Sequence, residues 1–230
     1  MLKLVIGNRN YSSWSLRAWL YLRQSGVPFE EIRIPLFSGS RWRDQLAEYT
    51  PAGRVPVILD GDLSVWDSLA ICEYVREKEA DAVDWPSDVR ARAQARSVSA
   101  EMHSGFLGIR NELPQNIRAR RALEPSELSE GCRAEVGRID QIWRDAREDY
   151  GNRGPWLFGQ FSIADVMYAP VALRFVTYSI PLSSEARHFV DQVQALDSIR
   201  EWCLESAEER ESLQFIDDLV PVSQTPLTQG

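Results

Sequence analysis

Cysteine, histidine and lysine are scarce in this chain of 230 residues, which has three, two and two of them. An odd number of cysteines without a close pair excludes a disulfide scaffold and a thiolate zinc site. No apolar stretch approaches the roughly 18 residues that a membrane span needs. The opening run Leu2–Ile6 is also shorter than the apolar core of a signal peptide. We therefore expect a soluble, cytoplasmic protein without a membrane partner.

Negative charge is in excess, with 34 acidic against 26 basic residues and a net charge of -8. This balance argues against a nucleic-acid partner, because binding to phosphates needs a basic surface. Residues 1–80 carry equal numbers of both signs, so the whole excess lies in the remainder. The asymmetry and the breaks at Pro86 and Ser87 predict two domains. We place them at 1–80 and 88–220, with a linker at 81–87 and a polar tail at 221–230.

The first 80 residues alternate between strand and helix patterns. Short apolar runs predict strands, Asp60-Gly61 between two of them predicts a hairpin turn, and serine or aspartate caps precede each of two helices. The predicted order is β-α-β-α-β-β-α, with a parallel βαβ unit at the start. The strands are assigned to Leu2–Ile6, Phe29–Leu36, Val55–Leu59 and Leu63–Trp66, and the helices to residues from Ser12 or Ser13 to Gly26, Trp42–Glu48 and Ser68–Lys78.

That order is typical of thioredoxin-like domains, in which a cis-proline faces the start of the first helix. Pro56 is the candidate, so we expect a cis Val55-Pro56 bond. Beyond residue 88, the long amphipathic patterns Val89–Asn111 and Leu128–Tyr150 predict an all-helical domain. Within it, Ser162 and Asp165 have the spacing of a capping box.

Four motifs resemble the glutathione transferase family. Ser12-Ser13-Trp14-Ser15-Leu16-Arg17 is similar to the S-S-x-S-x-R signature of its zeta class, although Trp14 replaces the usual cysteine. Arg54-Val55-Pro56, Asp67-Ser68-Leu69-Ala70-Ile71 and Phe161-Ser162-Ile163-Ala164-Asp165 are similar to later family motifs in the same order. The resemblance implies a thioredoxin-like domain followed by an all-helical domain, and a homodimer.

The resemblance also implies site residues, with glutathione as the cosubstrate and no metal. No cysteine precedes Cys72, so the ligand must bring the reactive sulfur. Ser12 is the first candidate for stabilising its thiolate, and Ser13 and Tyr11 are alternatives. The remaining implied residues are Val55, Pro56, Asp67 and Ser68 for glutathione, Arg54, Arg41 and Trp42 near its glycyl end, and Met102, Phe106, Arg110, Arg174 and Tyr178 for an electrophile pocket.

Three functions are compatible with these motifs. The first is a glutathione transferase, in which the sulfur attacks a small hydrophobic electrophile. The second is a glutathione-dependent cis–trans isomerase of the maleylacetoacetate isomerase type, which regenerates the thiol. The third is a non-catalytic binding or assembly protein of the same fold. His103 and His188 lack acidic or thiol neighbours at metal-ligand spacing, so we expect both to be structural.

Overall fold

A four-stranded mixed sheet forms the first part of the protein. The structure is a computed structural model that describes residues 1–37, 39 and 41–219, so the predicted tail at 221–230 lies outside the described residues. The strands are ordered β2-β1-β3-β4. Strands β1 and β2 pair in parallel, and the other two pairs are antiparallel. Their bounds are β1 Leu2–Ile6, β2 Phe29–Arg33, β3 Val57–Asp60 and β4 Leu63–Trp66.

Three helices complete this part and confirm the predicted order, with bounds α1 Ser13–Gln24, α2 Trp42–Ala47 and α3 Ser68–Lys78. Helix α1 connects the parallel strands and packs against α3. Strand β2 ends before the predicted Leu36, because Pro35 has no N–H to continue the ladder. Strand β3 begins two residues later than predicted, after a Val55-Pro56 bond that is cis as expected.

The second part is helical, as predicted, and the chain thus has a thioredoxin-like unit followed by a helical one. The pattern over 89–111 is not one helix, however, because it breaks between Gly105 and Phe106. Phe106 adopts a positive φ of 59°, and a Cβ on Gly105 would lie 2.9 Å from the Glu101 carbonyl oxygen. The helices here are α4 Val89–Ser104, α5 Leu107–Glu112, α6 Glu130–Tyr150, α7 Ile163–Thr177, α8 Ser184–Ala195, α9 Asp197–Glu208 and α10 Gln214–Asp217.

One apolar core runs through both parts of the chain. Helix α7 is its centre, since all but one of its residues are buried, and α1 packs directly against it. The Trp19 and Trp202 rings, from α1 and α9, lie 5.1 Å apart. The start of α1 is thereby held at the junction of the two parts. No helix in the described ranges is both long and apolar enough to cross a bilayer.

The predicted capping box begins α7. The Asp165 carboxylate accepts hydrogen bonds from the Ser162 amide at 2.8 Å, the Ser162 hydroxyl at 2.9 Å and the Leu157 amide at 3.0 Å. Complete burial raises the pKa of Asp165 to about 6, against the opposing effect of these donors. The carboxylate therefore fixes both the start of α7 and the loop before it.

Replacing Asp165 with alanine should lower the free energy of unfolding by about 2–4 kcal/mol, since three buried donors lose their acceptor. Denaturant unfolding followed by circular dichroism measures this change. Asp149→Ala is the matched control, because Asp149 is exposed on α6. A loss at Asp165 no larger than at Asp149 would show that the box does not stabilise α7.

Candidate functional site

Two neighbouring cavities open at the start of α1, between the sheet and the helical part. The first has a volume of about 710 Å³ and the second about 320 Å³. They share Trp14, Arg54 and Val55. The first is also lined by Ala52, Pro56, Trp66, Asp67, Ser68 and His103. The second is also lined by Asn8, Tyr11, Ser12, Leu36, Phe37, Trp42, Leu46, Gly53, Leu213, Phe215 and Ile216.

Asp67 forms the corner between β4 and α3 in the first cavity. Its φ of 79° is uncommon for a residue with a side chain, although aspartate tolerates it better than most. Its Oδ1 caps α3 by accepting from the Leu69 amide at 2.9 Å and the Ala70 amide at 3.3 Å. Its Oδ2 lies 3.0 Å from His103 Nε2. The carboxylate therefore combines a capping role with a charge on the cavity wall.

Ser68 follows at the first position of α3 and is fully buried. Its hydroxyl has no hydrogen-bond partner among the described residues, yet it lines the first cavity. An unpaired buried hydroxyl is unfavourable, so a ligand group that pairs with it would be stabilised. Its position at a helix N-terminus favours a negatively charged group such as a carboxylate.

His103 belongs to this cavity, although the sequence analysis interprets it as structural. It reaches the cavity from α4 and lies edge-on against Trp14, with ring centroids 5.2 Å apart. The sequence carries no signal for this placement, because the contact joins residues from the two parts of the chain. The helical part therefore contributes His103 to the first cavity, where it contacts both Asp67 and Trp14.

The three candidate hydroxyls near α1 have different environments. Ser12 is the N-cap of α1 and lines the second cavity; its Oγ accepts from the Ser15 amide at 3.2 Å and lies 2.8 Å from Ser15 Oγ. Ser13 is buried, and its Oγ accepts from Arg174 Nη2 at 3.1 Å. Ser13 is not among the residues that line either cavity. Of the two serines, Ser12 is the one whose hydroxyl can turn toward a ligand.

Tyr11 lines the second cavity, but its hydroxyl is already engaged. It donates to the Asp217 carboxylate, at 2.7 Å from Oδ2, and accepts from Arg118 Nη2 at 2.9 Å and the Leu213 amide at 3.2 Å. Burial, with the Asp217 contact, raises the pKa of Tyr11. A protonated phenol with three partners is poorly suited to stabilising a thiolate.

Trp14 forms the wall between the two cavities and is held by cations. The Arg17 guanidinium lies 4.6 Å from its ring centroid, and that of Arg110 lies 4.7 Å away. Arg17 is buried and donates from Nε to the Met167 carbonyl at 3.0 Å. Burial, with the charges of Arg110 and Arg174, lowers the pKa of Arg17. Such cation–π contacts fix the indole between the cavities.

None of the five residues expected to form the electrophile pocket is among those that line either cavity. Four of them are buried, whereas Arg110 is half-buried and contacts the wall between the cavities through Trp14. Arg174 is bound to Ser13, and Tyr178 donates to the Pro114 carbonyl at 2.8 Å. Apolar spacing on a helix predicts burial but does not distinguish core from pocket. The five are Met102, Phe106, Arg110, Arg174 and Tyr178.

Two further predicted neighbours of glutathione are also displaced from the first cavity. Trp42 lines the second cavity instead, where its ring lies 4.9 Å from that of Phe37. Arg41 precedes α2 as an exposed residue. The second cavity also includes Leu213, Phe215 and Ile216, which the sequence analysis missed because no motif marks them. The lining of the second cavity thus combines residues from the first 55 positions with these three residues, which are distant in sequence.

The cysteines are all free and buried. Burial raises the pKa of Cys132 to about 11 and that of Cys203 to about 12, and it also raises the pKa of Cys72. All three are therefore thiols at neutral pH and poor nucleophiles. Within the ranges that the structure describes, no group of three metal-ligating side chains occurs.

Replacing Ser13 with alanine should lower the free energy of unfolding by about 1–2 kcal/mol, because buried Arg174 loses an acceptor. Chemical denaturation measures it, with Ser97→Ala on the exposed face of α4 as the control. If both variants unfold at the same denaturant concentration, Ser13 does not support Arg174.

Comparison with known proteins agrees with this architecture. Family models match in two places: glutathione S-transferase, N-terminal domain, over residues 11–78, and glutathione S-transferase, C-terminal domain, over residues 117–205. The chain is 30% identical to glutathione S-transferase theta-3 of Mus musculus over 89 residues, which are 38% of this chain and 37% of that relative. The alignment thus spans little more than a third of the relative's own length.

Solved structures match over a larger share of the chain. A glutathione S-transferase from Rhodospirillum rubrum F11 superposes with a TM-score of 0.70 at 20% identity, covering 94% of this chain and 99% of that one. A glutathione transferase homolog from Burkholderia GL BGR1, with bound glutathione, gives a TM-score of 0.66 at 23% identity, covering 90% and 99%. From the two domain matches and the shared fold, the chain belongs to the glutathione S-transferase family.

Proposed function

We propose that this protein is a glutathione transferase that binds glutathione in the first cavity and a small hydrophobic electrophile in the second. The observation that carries the proposal is the pair of adjoining cavities that share Trp14, Arg54 and Val55, with Ser12 lining the second of them. The sulfur would lie where the cavities meet, beside Trp14 and Val55. The Burkholderia relative, solved with bound glutathione, supports this choice of ligand through its fold.

The chemistry of the first cavity fits a γ-glutamyl group. The unpartnered Ser68 hydroxyl and the start of α3 suit its carboxylate, while the Asp67 carboxylate suits its ammonium. Val55, next to Pro56, can offer its backbone to the cysteinyl part in the manner of an added strand. Arg54 is exposed and lines both cavities, so it suits the glycyl carboxylate.

Ser12 is the group that we propose for thiol activation. A hydroxyl that donates to a thiolate forms a charge-assisted hydrogen bond worth roughly 1.5–3 kcal/mol. The N-terminus of α1 adds roughly 0.3–2 kcal/mol for a nearby anion. Together they favour the ionised sulfur. The thiolate then forms a bond to the electrophilic carbon, the leaving group departs with its electron pair, and the thiol proton goes to solvent.

This function assigns separate tasks to the two parts of the chain. We propose that residues 1–80 bind glutathione and that 88–220 close the electrophile cavity, joined by residues 81–87. The assignment to a serine-type, zeta-like class rests on Ser12 and the residues after it. Homodimer formation stays a prediction of the resemblance.

Ser12→Ala should raise the pKa of the bound thiol by roughly one unit, because the thiolate loses a hydrogen-bond donor. Ultraviolet titration of the thiolate in the glutathione complex measures it. Ser12→Thr should preserve the wild-type value, since threonine keeps both hydroxyl and cap. A shift with Ser13→Ala instead, and none with Ser12→Ala, would assign the thiolate to Ser13.

Asp67→Asn should weaken glutathione binding roughly tenfold, because the ammonium loses a charged partner. The free energy of unfolding should change by less than about 1 kcal/mol, since asparagine also caps helices and tolerates a positive φ. Isothermal titration calorimetry and thermal unfolding separate the two effects. Asp62→Asn, in the exposed β3–β4 turn, is the control. Equal affinities in both variants would remove Asp67 from the site.

Turnover distinguishes the proposed function from its two alternatives. A transferase consumes glutathione in proportion to product, whereas an isomerase regenerates it. Glutathione binding without turnover across a panel of electrophiles would support a non-catalytic role. Absence of glutathione binding to the wild type by calorimetry would overturn the proposal as a whole.

A further inference from the structure

The C-terminal strap, defined as Glu209–Leu219, covers the second cavity. Its residues Leu213, Phe215 and Ile216 form one wall, opposite residues of the sheet part. The strap lies beyond residue 205, where the match to the C-terminal family domain ends. It is therefore a feature of this chain that the family match does not describe.

Asp217 attaches the strap to the start of α1. Its carboxylate accepts from the Tyr11 hydroxyl, from Asn116 Nδ2 at 2.8 Å and from Ser212 Oγ at 2.6 Å. The Tyr11 hydroxyl in turn accepts from the backbone amide of Leu213, a residue that lines the second cavity. We name this pair of contacts, Tyr11 to Asp217 and to Leu213, the strap latch.

Arg118 reinforces the attachment from the helical part. Its Nη1 donates to the Glu209 carbonyl at 2.5 Å. Its Nη2 donates both to the Glu211 carbonyl at 2.8 Å and to the Tyr11 hydroxyl. At the base of the strap, the Glu209 carboxylate accepts from the backbone amides of Arg9 and Asn10. The far end is fixed as well, because Arg121 Nη1 donates to the Leu219 carbonyl at 2.5 Å. Loss of the latch therefore loosens the wall residues between two fixed ends without releasing the strap.

The mouth of the second cavity is aromatic on both sides. Phe37 and Phe215 are 54% and 59% exposed, and their rings meet edge to face with centroids 5.6 Å apart. Phe37 adopts a positive φ of 58°, a strained conformation for a bulky residue. Behind them lie Tyr11, Trp14 and Trp42. Such walls select a flat ring over a saturated one, because aromatic rings gain from edge and face contacts.

We propose that Tyr11 is a positioning residue: its latch to the strap holds Phe215 over the second cavity and thereby sets a preference for planar aromatic electrophiles. This inference rests on the proposed function, since the electrophile is joined to glutathione. In this proposal the Tyr11 hydroxyl positions the strap, whereas the Ser12 hydroxyl stabilises the glutathione thiolate.

Binding of glutathione conjugates tests the latch without requiring turnover. Calorimetry on the full chain compares glutathione, S-methylglutathione, S-benzylglutathione and S-(cyclohexylmethyl)glutathione. The ratio of the S-benzyl to the S-methyl affinity measures the second cavity alone. In the wild type we expect S-benzyl to bind at least tenfold more tightly than S-methyl, and more tightly than the cyclohexylmethyl conjugate of similar size.

Asp217→Asn should reduce this ratio about tenfold, the scale of one charge-assisted hydrogen bond, while the glutathione affinity stays unchanged. Asp218→Asn is the matched control, because it removes the same charge at the adjacent position. Among the described residues, only the Gln214 side chain donates a hydrogen bond to the Asp218 carboxylate. Tyr11→Phe should act like Asp217→Asn. The double variant should lose little more than either single one, since both substitutions remove the Tyr11–Asp217 contact.

Each result decides a different statement. An equal ratio in Asp217→Asn and Asp218→Asn would overturn the latch. Equal affinities for the benzyl and cyclohexylmethyl conjugates would overturn the preference for planar rings. A parallel loss of glutathione affinity in Asp217→Asn would show a general structural effect and also contradict the latch. Wild-type protein that binds none of the four compounds would overturn the proposed function first.

Discussion

Packing of α1 against α7 fixes the position of the functional groups in this protein. Arg17 is buried at this contact, where its Nε donates to the Met167 carbonyl and its guanidinium stacks on Trp14. Because α1 packs against α7, its N-terminus lies at the junction of the two parts, next to the cavities. Trp14 then lies between two cavities, and Ser12 lines the second of them. Each cavity is lined by residues of both parts of the chain.

Three aspartates have related tasks around this contact. Asp165 starts α7 and is completely buried, Asp67 turns the chain from β4 into α3, and Asp217 attaches the strap. Each carboxylate accepts hydrogen bonds from several donors, and these bonds fix the positions of the segments that carry the donors. Their exposure differs. The buried Asp165 carboxylate stabilises the fold, whereas the partly exposed Asp67 carboxylate also faces the first cavity.

The division of labour among hydroxyls follows from their surroundings. Tyr11, Ser12 and Ser13 are consecutive, and the sequence offers all three as candidates for stabilising a thiolate. Their contacts separate them, because Arg174 binds Ser13 and Asp217 binds Tyr11. Ser12 alone of the three both lines a cavity and keeps a hydroxyl whose hydrogen can be redirected. The wall of the second cavity also depends on contacts between distant residues, since the Phe37 and Phe215 rings meet although they are 178 positions apart in the chain.

Local patterns were sufficient for much of the fold. The order of strands and helices along the chain, the hairpin and the Ser162–Asp165 capping box depend on residues close in sequence, so the sequence by itself determined them. Pro56 marked the candidate for a cis bond, but the isomer depends on the surrounding fold. The break at Gly105, the arrival of His103 beside Asp67 and the strap over the second cavity depend on contacts between distant segments. Only the tertiary structure decided these, because spacing along one helix shows which residues are buried but not what they are buried against.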